Sequence, residues 1–177
     1  MRYNTHVATS LAGCAVAAKL FALPFTFGYI VGIVVGSLLP DIDEPRSYVG
    51  RRAPLFSRLI NRIFGHRGVT HSLLAWLVTV TIYFLYPSPF TLGLSLGYLF
   101  HIVGDYFSVG GVPLFSPLSK HRHKAPITYR TSSKMESAIY YISCIVMGAM
   151  LLIYNELFTE LISSIIEFIS KFTEHFK

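Results

Sequence analysis

Leu38-Leu39-Pro40-Asp41-Ile42-Asp43-Glu44-Pro45 is the stretch on which the reading of this chain turns. A glycine-rich apolar run, residues 27 to 39, stops at a proline and three carboxylates, of which Asp41 and Asp43, one residue apart between Pro40 and Pro45, point the same way if the stretch is extended. Asp41, Asp43 and Asp105 are the only aspartates in the chain, and Asp105 follows His101 by four residues at the end of another apolar run. Acids in such settings are costly unless they hold something. A site built from these residues is therefore expected.

Working outward, the surroundings are too apolar for an ordinary soluble domain. Hydrophobic residues make up 53% of the 177, charged ones only 14%, and the mean hydropathy is +0.53. This composition points to a bilayer. The length suits one domain, residues 1–177. The formal charge of +6 falls in two blocks flanked by apolar segments, as membrane orientation requires, and no signature of a nucleic-acid module accompanies it. No nucleic-acid partner is expected. Cys14 and Cys144 lie inside apolar segments and read as small hydrophobes. The first segment is expected to belong to the mature chain, because its positive start is thin and Lys19 interrupts its apolar run.

The periodicity predicts an all-α integral membrane bundle of about four to five spanning helices with amphipathic interfacial helices. The first segment, about 3 to 21, carries Thr5, His6, Thr9, Ser10 and Gly13 on one helical face that would look into the bundle. The second, about 22 to 39, spaces Gly28, Gly32 and Gly36 four apart, a small-residue ridge for close helix packing. Residues 54 to 64 alternate apolar and basic faces, which predicts a short helix on the membrane surface. A third segment covers about 69 to 86. The fourth, about 90 to 107, aligns Gly93, Gly97, His101 and Asp105 on one stripe, packed at one end and opening on a site at the other. A fifth spans about 135 to 154. The tail, 157 to 172, has one polar face and is expected along the interface.

If the four best segments each cross once, both basic loops lie on one side with the N-terminus, and the positive-inside rule makes that side cytoplasmic. The same count brings His6, Asp41, Asp43, His66, His71, His101 and Asp105 to that face. Imidazoles and carboxylates without a nearby thiol suit zinc or manganese. Each residue also has a structural reading: His101 as a core partner of Asp105, Asp41 and Asp43 as helix terminators, Arg67 as an orienting charge.

Three motifs in order, Leu39-Pro40-Asp41-Ile42-Asp43, then His66-Arg67-Gly68-Val69-Thr70-His71-Ser72, then Gly97-Tyr98-Leu99-Phe100-His101 with Asp105 and Gly111-Val112-Pro113, resemble the YdjM-like family of bacterial membrane-bound, metal-dependent hydrolases. The resemblance covers about residues 4 to 136, and its pattern is similar to that of zinc-dependent phospholipase C. It implies His6, Asp41, Asp43, His66, His71, His101 and Asp105 as metal ligands, with Glu136 either a further ligand or a helix-start acid. This chain has Glu44 where the pattern has histidine. The activity implied is hydrolysis of a phosphoester in a lipid or lipid-linked substrate at the cytoplasmic face of the inner membrane, with one to three divalent ions, zinc or manganese. Asp43 or Asp105 would act as general base, and Arg67 would hold phosphate beside the chemistry; the run Lys120-His121-Arg122-His123-Lys124 reads either as a further phosphate or headgroup contact or as a solvated surface. Two other classes stay open: a small metal-ion or proton-coupled transporter, and a membrane scaffold with a structural metal.

Overall fold

The computed structural model describes residues 1–64, 68–153 and 155–174. Its elements are α1 (Tyr3–Leu20), α2 (Phe27–Leu38), a 3₁₀ turn (Leu39–Asp43), α3 (Pro54–Phe64), a second 3₁₀ turn (Val69–His71), α4 (Leu73–Leu85), α5 (Pro89–Tyr106), α6 (Lys134–Ile153) and α7 (Asn155–Glu174). Among the described residues there is no strand, only two isolated bridges that pin the loop after α5. The protein is all-α.

The starts of the helices follow from local chemistry. Thr26, Ser72 and Ser88 each accept a hydrogen bond from the backbone N–H three residues on, covering a donor the first turn leaves open. Ser88 and Thr91 close a reciprocal capping box ahead of Pro89, whose fixed φ suits a first turn. Pro40 falls in the first turn of the 3₁₀ segment, so α2 runs on into a tighter coil and the chain does not become extended.

The bundle is organised on α2 and α5, which touch backbone to backbone. A Cβ at Gly32 would land on the Phe90 carbonyl oxygen, one at Gly36 on that of Leu94, one at Gly93 on that of Tyr29 and one at Gly97 on that of Ile33. Four positions on two helices thus admit only glycine. The polar stripe of α1 faces inward as its spacing suggests: Thr5, His6 and Ser10 are fully buried. Behind it Cys14, Ala15, Ala18, Phe25, Tyr29 and Ile33 form one core cluster, while Tyr98, Ile102 and Val112 form a second beneath the loop after α5. That loop is strapped down where the Tyr129 hydroxyl donates to the Gly104 carbonyl at 2.8 Å and the Ala125 N–H to that of Tyr106 at 3.0 Å.

Among the described residues, α6 alone is both long and apolar enough to cross a bilayer by length and composition. The second and third segments are shorter as helices than as apolar runs. The 12 residues of α2 and the 13 of α4 span about 18 and 20 Å, against about 30 Å of hydrocarbon. Residues at their ends are drawn into caps and 3₁₀ turns. Residues 54 to 64 do form a helix, with Leu55, Phe56, Leu59 and Ile63 exposed along it.

Candidate metal centre

Four elements deliver five side chains to a single buried cluster. His6 comes from the first turns of α1, Asp41 from the first 3₁₀ turn, His71 from the end of the second, and His101 and Asp105 from the last turns of α5. His6, His71, His101 and Asp105 are fully buried; the Asp41 side chain is 16% exposed and is the cluster's opening to the surface. His6, Asp41 and His101 offer ligand atoms within 4.8 Å of one another, and so do His71, His101 and Asp105.

The ring orientations are fixed from outside the cluster. His101 Nδ1 lies 2.6 Å from the Ser37 carbonyl oxygen, which only accepts, so Nδ1 carries the proton and Nε2 presents a lone pair to the cluster. His71 Nδ1 faces Asp43 Oδ2 at 3.3 Å and Thr70 Oγ1 at 3.1 Å, which likewise frees its Nε2. The two Nε2 atoms then meet at 3.2 Å. Two lone pairs at that distance repel unless a proton or a cation stands between them. The separation agrees with the roughly 3.3 Å expected for two nitrogens, each about 2.0–2.1 Å from one tetrahedral zinc ion. His6 stacks flat on His101, with ring centroids 3.7 Å apart, and its Nε2 is 3.5 Å from Asp105 Oδ1. The Met1 amino nitrogen is 3.2 Å from the same oxygen.

The electrostatics show the same demand for positive charge. Burial opposes a charged His71, yet the carboxylates of Asp41, Asp43 and Asp105 outweigh it and push the ring up to about 9. Burial also opposes ionised Asp41, and the imidazoles of His101, His71 and His6 hold it well below the usual carboxylate range. The donor set therefore fits a divalent ion of the zinc and manganese class.

Other residues singled out from the sequence lie elsewhere. Asp41 and Asp43 do not point the same way, because the stretch is 3₁₀ and not extended; at about three residues per turn, neighbours two apart diverge. The Asp43 carboxylate accepts from the Thr70 hydroxyl and, at 3.3 Å, from the Gly68 N–H, and it orients His71 from outside the cluster. Glu136 is fully buried, but it sits on Arg2, accepting the Arg2 N–H at 2.6 Å and facing its Nε at 3.1 Å. Lys120, His121 and Arg122 are exposed on the loop after α5, and His123 is tied by its backbone to Val112. His66 and Arg67 fall outside the described residues.

A cleft of about 480 Å³ opens beside Asp41, lined by Arg2, Arg46, Tyr48 and Arg51 among others. It escaped sequence reasoning because its arginines look like orienting charges in a basic loop. The Ser37 carbonyl has no side-chain signal at all, whereas Thr70 lies inside a motif that could have flagged it.

Fold and site together define an all-helical protein that gathers histidines and aspartates from distant segments into a buried centre suited to a divalent metal. The chain belongs to the family described as YdjM inner membrane protein, whose model matches residues 1–169. It is 38% identical over 140 residues to the inner membrane protein YdjM of Escherichia coli, covering 72% of this chain and 70% of that protein. It is 32% identical over 141 residues to YvsG of Bacillus subtilis, covering 78% and 87%. No solved structure matches it.

Proposed function

We propose that the protein is an inner-membrane, metal-dependent hydrolase that cleaves a phosphoester in a lipid or lipid-linked substrate at the cytoplasmic face. The observation that carries this is the meeting of His71 and His101 through their Nε2 atoms, with Asp41 and Asp105 beside them and a solvent-reaching cleft at Asp41. His101 has a single nitrogen to give, since Ser37 holds the other. The two overlapping donor groups therefore read as one ion site with His6, Asp41, His71, His101 and Asp105 around it.

Bound there, a divalent ion supplies Lewis-acid polarisation of a phosphoryl oxygen and lowers the pKa of a coordinated water. The residues do the rest. Ser37 and Asp43 hold the two imidazoles in the tautomer that presents Nε2, and Asp41, the carboxylate of the cluster that borders the cleft, can accept a proton from an attacking water there. Asp43 and Asp105 are fully buried, which makes them weaker candidates for that step.

The membrane setting draws on the family and on exposed surface. Leu74, Leu77, Val78, Phe84 and Leu85 of α4, with Ile142, Ile145 and Leu152 of α6, are solvent-accessible apolar groups in numbers suited to lipid. The metal cluster, the basic loops and the amphipathic α3 share one end of the bundle, which the positive-inside rule assigns to the cytoplasm.

Metal analysis of purified protein, then phosphate or headgroup release from mixed micelles of phospholipids and lipid-linked phosphates, tests the reading. Asp41→Ala and His101→Ala should lose bound metal and turnover together. Full metal content in both variants rules the assignment out.

A further inference from the structure

A second cavity, of about 470 Å³, lies between α1 and α6. Val7 and Leu11 of α1 and Met147 and Leu151 of α6 line it, and its walls are largely apolar. Tyr3 and Asn4 line both this groove and the cleft at Asp41. The Tyr3 ring stacks on Tyr48 at 4.7 Å, so the two spaces share an aromatic wall. One is greasy and runs along the helix best suited to cross a bilayer; the other holds guanidinium groups and ends at the metal cluster. Arg2 is engaged by Glu136 and Ser137. Among the described residues, the Arg46 and Arg51 side chains have no carboxylate partner, although Glu44 also lines the cleft.

The geometry points to a bipartite site for a phosphate-bearing amphiphile, with an acyl chain in the α1–α6 groove and an anionic headgroup against Arg46 and Arg51 beside Asp41. Charge complementarity selects the headgroup, because arginine forks match phosphate oxygens. Apolar burial selects the chain, and each cavity is of ligand-binding size. The inference rests on the hydrolase reading for the fate of the headgroup, but not for its binding.

The test is photocrosslinking of the full-length protein in phosphatidylcholine nanodiscs doped with phosphatidic acid or phosphatidylcholine carrying a diazirine in one acyl chain. Phosphatidic acid should label α1 and α6 around Leu11 and Met147, with an excess over phosphatidylcholine of about tenfold, the effect of one charge-assisted contact. Arg46→Gln with Arg51→Gln should erase that excess while leaving the fold intact. Gly148→Trp should abolish labelling in the groove, since a Cβ at Gly148 meets open space and the larger ring can enter without displacing backbone. Equal labelling by both lipids identifies ordinary boundary lipid and overturns the proposal. So does labelling unchanged in Gly148→Trp. Headgroup-selective labelling in a protein that hydrolyses none of the lipids supports this site while sinking the hydrolase reading. Hydrolysis of a lipid at an unaltered rate in Gly148→Trp does the reverse.

Discussion

Asp43 faces Nδ1 of His71 at 3.3 Å, while Asp41, two residues earlier, stands 3.7 Å from Nε2 of the same ring. The 3₁₀ turn wraps both carboxylates around one imidazole, and this gives them different work. Asp43 sets the tautomer, and Asp41 shares the metal face. Asp43→Asn should therefore weaken metal binding by about 10- to 100-fold without preventing folding. Asp41→Asn should remove a donor and lower the amount of metal retained. Competition with a chelator of known affinity separates the two.

Metal uptake should release protons. His71 in the metal-free protein is raised to about 9, above its ordinary 6.5, so the ring is charged at neutral pH and must lose its proton when Nε2 binds an ion. Affinity for zinc should then rise with pH up to about 9 and level off above it. Titration calorimetry in buffers of different ionisation enthalpy reads the proton count, and an apparent enthalpy independent of buffer would contradict the assignment. The sign is opposite for stability without metal. Charged His71 favours the folded state fully below about 6.5, and that contribution is lost as pH rises through about 9.

Gly36→Ala or Gly97→Ala should act on the centre from a distance. Each new methyl would meet backbone of the facing helix, so α2 and α5 must separate. Overpacking of this kind costs about 1–3 kcal/mol. Gly148→Ala, which meets open space, is the matched control. Thermal unfolding should show a loss for the first two and almost none for the third, and retained metal should fall with the loss.

Single cysteines should report the orientation. Leu118, 95% exposed on the loop after α5, and Tyr86, 71% exposed at the opposite turn, are suitable positions. In a Cys144→Ser background, Tyr86→Cys should react with an impermeant maleimide in intact cells and Leu118→Cys only after permeabilisation. Reaction of both from one side would refute the arrangement.

Much of this arrangement was legible in the chain because the periodicity carries it. The stripe Gly93, Gly97, His101, Asp105 states both where α5 packs and where it opens, and Thr5, His6 and Ser10 state which face of α1 turns inward. Local conformation was harder to read. Two prolines around Asp41 and Asp43 suggest extension, yet Pro40 is equally at home in a first helical turn, and only tertiary placement decides. Glu136 does lie in the first turn of α6, one of its two readings, but its pairing with Arg2, 134 positions away, leaves no trace in the sequence. The cleft was invisible for the same reason. Arg46 and Arg51 matter through what they stand beside, and that is set by Tyr3 and Tyr48 meeting across the bundle.

His6 enters from the first helix and Asp105 from the end of the fifth, so the pocket between them does not exist until the chain has been made through α5 and those helices have docked. Any ion kept there is acquired late in biogenesis, and a nascent chain stalled after its first hairpin has nowhere to store one. Retained metal would thus double as a gauge of the docking of α1 against α5, readable without a tag or an antibody.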